Sequence, residues 1–535
     1  MSHSAVLIMF MLDGSNQKGQ QMVMKDRRVQ RRGLRGFSVS LIFFVACCAG
    51  GFAAKSAQSA DQFAADDLLE IANARTYTAA LEGKMVTEGE RTSHPDAQWF
   101  PHAGFGLFIS WGPEAAQGSG EPWLCMVNPD KKLGSVAKHG YSPPSEWFEL
   151  FKTWNPDRYD PDKWMKAAKE AGFTYVVFIA KHHLGYALWP SDVGEMGVKQ
   201  YLGGRDLLQP FVDACRKYGL KVGIYYSGMD WYFDREYRNF YLGKDKKLNW
   251  KHEYVESLPA KPADLWSKFV EFDEAQGREL LTRYGKIDLW WPDGGTPFTV
   301  EQIRAMQPGI VINNRTKGRL GDYATPEGSF FAYIEKAAPI MNEFVRRGYW
   351  WENCNIYTKG SWHYGDKDSE KVFEAGTFIW DLAWARSFGG NLLADIAPRP
   401  NGEMPDQYYE RCAQLAAWMK HSREALFGIN GGALYPEKSN CPVTIKDDTW
   451  YLFSPPKHWK PGWGYSIEIK ALELKGVPAP KKVRLLRTGE TVPYQYNEGK
   501  LSITLPPELR TETPDVVAVE FDQDTGKPYR FTHLK

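Results

Sequence analysis

The sequence predicts an α/β fold, a (β/α) barrel of the TIM type with a C-terminal antiparallel β-sandwich domain. Three observations point there. Short β-rich runs alternate with longer runs of helical period over about 300 residues, the span a (β/α) barrel needs. The strand-like runs are continuously apolar, as strands covered on both faces by helices must be. From about residue 430, short strands separated by Gly, Pro, Asn and Lys replace that pattern.

The chain opens with a leader. Residues 25–35 read KDRRVQRRGLR, followed by FSVSLIFFVACCAG and GFAAKSAQSA. A basic cluster, an apolar run too short for a confident membrane span and small residues beyond it make an export signal over 1–60, directing the chain to the periplasm or outside the cell. Lipid anchoring on Cys47 or Cys48 is a weaker alternative, because FFVA is a poor lipoprotein site.

The catalytic barrel is expected over 61–430. GFGLFIS (104–110) reads as the first buried strand. DPDKWMKAAKEAG (160–172) reads as a helix with an acidic start and a terminal Gly, leading into the strand TYVVFIA (174–180). RDLLQPFVDACRKYG (205–219) and KVGIYYS (221–227) repeat that unit. After a polar and aromatic insertion over 230–262, a helix at 264–285 feeds IDLWWPD (287–293), then a short helix near 299–306 and GIVINNR (309–315). Helical sequence over 369–389 leads to NLLADIAP (391–398), and a last helix covers about 405–421. The segments from GGALYP to DVVAVEFD make the sandwich, 431–535, a brace or lid on the barrel with sugar binding as the alternative.

Composition excludes several function classes. Lys+Arg 66 against Asp+Glu 65 leaves a net charge of +1, too little to gather nucleic acid or an anionic membrane. Beyond the leader five Cys are widely spaced without a CxxC, so neither a zinc knuckle nor a disulfide framework is indicated. The 21 Trp, with 27 Tyr and 29 Phe, suit stacking on the apolar faces of sugars, although a Trp-rich core would need as many.

Three clusters can carry chemistry. Lys181, His182 and His183 leave the strand 174–180. A Lys and two His there are costly to bury without partners, and neutral imidazoles suit hydroxyl recognition. No HxH, HExxH or third ligand marks them as a metal site, so neither a metal nor a cofactor is expected. Trp290, Trp291, Pro292 and Asp293 precede two glycines, putting a carboxylate at a strand end beside flat rings. Ionised, Asp293 can attack an anomeric carbon or stabilise an oxocarbenium-like transition state. Glu352 sits among Trp350, Trp351 and Cys354, where desolvation would let it hold a proton as a general acid. Glu327, in GDYATPE, is the alternative acid, and Arg315, in NNR, is a cation able to orient either carboxylate.

FGLFISWG, AGFTYVVFIAKHHLGYALWPS, YGKIDLWWPDGG, NNR, GDYATPE, WENC, SWHYG and GGNLLADIAPRPNGEMP resemble, in order over about 95–430, the alpha-L-fucosidases of glycoside hydrolase family 29. The resemblance implies a retaining exo-glycosidase releasing α-L-fucose on a (β/α) barrel, with Asp293 as nucleophile and Glu352 as acid/base. It also implies that His182 and His183 grip fucose hydroxyls, that Arg315 matches the Arg of an NDR-like segment, and that Trp362 and Tyr364 match the aromatics of an SWGY segment. Glu121, in GSGEPW, corresponds to a glutamate ahead of a Trp, and Trp111 and Trp291 complete the substrate-binding set. Two positions depart from the pattern. FISWG has Ser110 where the related segment has a sugar-contacting histidine, and KHHLGY has Leu184 in place of an acidic residue. The expected partner is an oligo- or polysaccharide. Alternatives are an α-L-galactosidase, an enzyme for sulfated algal fucosides, and a non-catalytic carbohydrate-binding protein.

Overall fold

The structure, a computed structural model, describes residues 91–128, 140–315, 321–328, 331, 334–366, 368–432, 435–458 and 468–534. The expected export signal lies outside them. Strands are β1 (Phe105–Ile109), β2 (Tyr175–Lys181), β3 (Lys221–Ser227), a hairpin of β4 (Lys247–Leu248) and β5 (Tyr254–Val255), β6 (Leu289–Asp293), β7 (Val311–Ile312), β8 (Tyr323–Ala324), β9 (Trp350–Ile356) and β10 (Asn391–Ile396). All but the hairpin form an 8-stranded parallel sheet in the order β7-β6-β3-β2-β1-β10-β9-β8. A parallel bridge between Asn313 and Tyr323 closes it into a barrel.

That closing seam is short, and specific contacts hold it. Asp322 accepts from Ile312 N at 2.8 Å, from Thr92 N at 2.7 Å and from Arg304 Nη2 at 2.5 Å. Gly321 passes so close to the Asn313 carbonyl that a Cβ would stand 2.1 Å from its oxygen, so only glycine fits.

The helices are α1 (Pro144–Thr153), α2 (Pro161–Ala171), α3 (Leu208–Lys217), α4 (Leu265–Arg283), α5 (Val300–Met306), α6 (Ile334–Arg347), α7 (Ala375–Ser387) and α8 (Asp406–Ser422). Their ends follow local chemistry. Asp160 caps the start of α2 and Gly172, left-handed, ends it, while Thr299 and Gln302 form a capping box on α5. Within the barrel sheet and its helix layer, the sequence pattern leaves α1, α6, β8 and β9 unread.

Inward-facing Phe108, Tyr175, Tyr225, Trp291, Tyr323, Trp350 and Cys354 fill the barrel, and Phe100, on a single helical turn, joins them. Most of the tryptophan serves packing rather than sugar stacking. Trp147, Trp164, Trp189, Trp290, Trp351 and Trp384 are fully buried in the cluster between barrel and helices.

The tail is a sandwich of two antiparallel sheets. The larger orders β11 (Gly431–Gly432), β12 (Val443–Lys446), β13 (Thr449–Ser454), β18 (Asp515–Glu520) and β15 (Lys482–Leu485), and the smaller β14 (Leu472–Lys475), β17 (Lys500–Ile503) and β16 (Gln495–Asn497). Strand alternation splits β18: Val517 and Val519 enter the sandwich core, while Val516 and Ala518 join the barrel's cluster. Helix α7, buried at nearly every position, is apolar all round because barrel and sandwich cover it together. The tail is thus a brace. Among the described residues no helix is long and apolar enough to cross a membrane.

Buried Arg386 fastens α7 to this frame. Its Nη1 donates to Pro101 O at 3.1 Å, Gly390 O at 2.8 Å and Asn391 Oδ1 at 3.2 Å, and its Nε to Leu426 O at 3.2 Å. Replacing Arg386 with Met strips those buried acceptors of their donor and should lower stability by roughly 3–5 kcal/mol, checked by urea denaturation.

Candidate active site

Strand β6 alternates Leu289, Trp291 and Asp293 toward the barrel axis, so Asp293 emerges at the C-terminal rim, where barrels of this type carry their chemistry. Gly294 and Gly295, both at positive φ, turn the chain away beyond it. The Asp293 carboxylate is held at both oxygens. Oδ1 accepts from Arg315 Nη1 at 3.1 Å and Gly294 N at 3.0 Å, and Oδ2 accepts from Tyr225 Oη at 2.8 Å.

Arg315 is buried with its guanidinium 4.3 Å above the Trp291 ring. Its Nη2 pairs with Glu327 Oε1 at 2.5 Å and donates to Thr325 O at 3.2 Å. Burial alone would lower its pKa, but Glu327 and Asp293 outweigh that and raise it, so the cation persists at any working pH.

His183 and His182 lie on the next wall. His183 Nδ1 is 2.6 Å from Ser227 Oγ, and the Ser227 hydroxyl in turn donates to Met229 O at 2.7 Å. That chain makes Nδ1 the protonated nitrogen and leaves Nε2 a bare acceptor, 3.8 Å from Asp293 Oδ2. Either acceptor can take the single proton of a hydroxyl placed beside them. Burial first, then His363 and the Arg238 and Arg315 cations, pushes His183 down to about 3. His182 stacks on Tyr225 at 5.8 Å, its Nδ1 is buried without a partner among the described residues, and burial pushes it well below the usual range.

The two acid candidates stand at different heights. Glu352 is on β9, not in a loop, and is fully buried inside the barrel. It accepts from Tyr175 Oη at 2.6 Å and Trp291 Nε1 at 2.9 Å, with Tyr323 alongside, and burial raises its pKa against those donors. Trp291 therefore lies between Glu352 and the level of Asp293. Glu327 bridges to Cys354, two residues beyond Glu352 along β9 and so about 6–7 Å nearer the rim. Its side chain is 41% exposed and shares Arg315 with Asp293.

Other expected site residues divide. Trp362 packs on Phe108 at 6.2 Å, against the cluster inside the barrel. Glu121 accepts from Trp123 N at 3.2 Å and Ser361 Oγ at 2.9 Å, tying two rim loops together. Tyr364 turns to Glu370, to which it donates at 2.8 Å, and braces a loop. Trp111 does not join the site: it is fully buried outside the barrel, stacked on Tyr159 at 4.9 Å with Nε1 donating to Arg399 O. Leu184 is buried in that same outer cluster. Ser110 donates to the buried Asp395 at 2.6 Å. Sequence reasoning misses Tyr225, Ser227, Trp123 and His363. Tyr225 alone carries a usable signal, its inward register two residues before the end of β3. Trp123 meets His183 edge-on at 5.3 Å and His363 meets His182 edge-on at 4.7 Å. Among the described residues no three His, Cys, Asp or Glu side chains converge as a metal site.

A model of the alpha-L-fucosidase family matches residues 73–424. The chain is similar to the tissue alpha-L-fucosidase of Bos taurus, 26% identical over 453 residues that span 80% of this chain and 88% of that one. Its fold is similar to isoenzyme 1 alpha-L-fucosidase from Paenibacillus thiaminolyticus, with a TM-score of 0.63, 27% identity and coverage of 80% of this chain and 99% of that one. It is also similar to a Bacteroides thetaiotaomicron alpha-L-fucosidase trapped as a covalent intermediate with 2-fluoro-fucosyl fluoride, with a TM-score of 0.60, 25% identity and coverage of 82% and 98%.

The buried neutral histidines make stability depend on pH. The folded pKa of His183 lies below its unfolded value near 6.5, so the unfolded chain binds the extra proton and stability falls as pH drops from about 6.5 toward 3. The His183→Gln variant should lose up to about 1.4 kcal/mol per pH unit of that slope, read from urea unfolding at pH 4.5 and 7.

Proposed function

The chain belongs to the alpha-L-fucosidase family, and we propose that it releases α-L-fucose from glycans with Asp293 as nucleophile and Glu327 as acid/base. The reaction is a retaining double displacement. Asp293 attacks the anomeric carbon as the glycosidic C–O bond breaks and Glu327 protonates the departing oxygen. Glu327 then takes a proton from water, whose oxygen displaces the Asp293 ester.

The observation that carries these roles is the single guanidinium shared by Asp293 and Glu327 at the rim. One guanidinium holding both carboxylates supports a double displacement, whose two carboxyl groups must stand close together, about 5–5.5 Å apart. Glu352, which the sequence favours as acid, is spent on Tyr175 and Trp291 beneath the Trp291 ring, where a leaving oxygen would have to displace the barrel's own packing. We assign it to holding Tyr175 and Trp291 in place. Neutral His182 and His183 are assigned to the sugar hydroxyls, with the bare Nε2 of His183 beside the nucleophile. The proposal also places the enzyme outside the cytoplasm, supported by the basic-then-apolar leader.

Replacing Asp293 with Gly should cut kcat on aryl α-L-fucoside by about 10³-fold or more, with azide restoring turnover and giving the β-fucosyl azide. Unchanged activity would sink the nucleophile assignment. For Glu327→Ala, kcat should fall about 10²–10⁴-fold on substrates with poor leaving groups and far less on aryl fucosides with good ones, azide now giving the α-fucosyl azide. If Glu352→Gln shows that leaving-group pattern and Glu327→Ala does not, the acid/base is Glu352.

A further inference from the structure

The rim loops that follow β1 and β9 are zipped together. Ser119 and Gly365 form an antiparallel bridge, His363 N donates to Gly120 O at 3.1 Å, and Asp366 N donates to Gly118 O at 3.2 Å. Glu121 adds the contact to Ser361. Gly120, at φ +75°, lies against the His363 carbonyl, where a Cβ would stand 3.0 Å from its oxygen. The zipper fixes the backbone of His363 as firmly as a strand would.

The side chain it fixes makes no hydrogen bond among the described residues. His363 is 1% exposed, and both its ring nitrogens lack a hydrogen-bond partner among the described residues. A neutral imidazole carries one donor and one acceptor, and each left unmade in a buried place costs about 1–3 kcal/mol. The ring stands 4.7 Å from His182, whose Nδ1 is likewise unpartnered, and His182 stacks on Tyr225, the donor to Asp293. Three unpartnered imidazole nitrogens thus gather one ring away from the nucleophile's own tyrosine. Position 110 offers no substitute, since the Ser110 hydroxyl is committed to Asp395.

We propose that His363 is a sugar-recognition residue, its imidazole hydrogen-bonding a ring hydroxyl of the glycone beside His182 and supplying the imidazole contact that Ser110 cannot make. The proposal rests on the fucosidase reading, but it names a contact that reading does not require. Burial pushes His363 well below the usual histidine range, so the ring stays neutral, able both to donate and to accept.

The test compares wild type, His363→Gly and His363→Gln on aryl α-L-fucoside and its 2-, 3- and 4-deoxy analogues, with Tm measured for each protein. Wild-type turnover of the parent fucoside, with the azide product from Asp293→Gly, judges the fucosidase reading separately. For the inference, kcat/KM of His363→Gly on the parent should fall about 10–100-fold, the size of one buried hydrogen bond. One deoxy analogue should be turned over equally by wild type and variant, because the lost hydroxyl and the lost ring are the same contact, and His363→Gln should recover part of the loss. An unchanged kcat/KM on the parent overturns the inference. So does an equal loss on the parent and all three analogues, which is what a merely structural role would give.

Discussion

The site depends on one buried cation. Arg315 sits at the seam where β7 and β8 close the barrel, its face on Trp291 and its fork divided between Asp293 and Glu327. A guanidinium taken out of water is tolerable only if its charge is met and its donors are used. Here two carboxylates meet the charge and, with the Thr325 carbonyl, take up the Nη donors, while Nε has no partner among the described residues. The seam that closes the barrel and the pair of carboxylates at its rim are therefore one construction. The closing strands are only two residues long, so side-chain contacts from Asp322 and the close approach at Gly321 take over what longer strands would supply.

Polar groups in this barrel are arranged by depth. Glu352 lies low and is met by neutral donors, with burial raising its pKa. One step higher, Trp291 and Tyr225 stack at 5.3 Å, an aromatic floor whose polar edges point down to Glu352 and up to Asp293. Above it the charged groups meet the rim. The floor separates a carboxyl that fastens the barrel from the carboxylates at the rim, and it provides the low dielectric on which strong electrostatic interactions depend.

Much of this was legible in the sequence, for reasons that also explain the rest. The buried strands β1, β2, β3, β6 and β10 announce themselves by apolar runs, and α2 by its Asp160 and Gly172 ends. Asp293 is readable because it terminates such a strand in register with Trp291. Glu352 has the same inward register, with Trp350 and Cys354, but height along an axis is not a property of alternation. It follows from β9 pairing Glu352 with Asn391 on one side and running beside β8 on the other, and β8 is too short to show a period. Trp111 fails the opposite way, since a residue just past a strand end can face either layer. His363 has no local signal, because its surroundings come from a loop more than 200 residues earlier in the chain.

The shared burial of α7 bears on how such a protein can change over time. Its outer face is covered by Tyr435, with the Trp384 ring 5.2 Å from the Tyr435 ring, and Gly432 approaches the Ser387 carbonyl too closely for any side chain. The boundary near residue 430 therefore divides two architectures without dividing one core. A sandwich exchanged for an unrelated module would leave α7 as an apolar helix open to water. The tail must be inherited with the barrel, and substitutions on either side of α7 are constrained by the other.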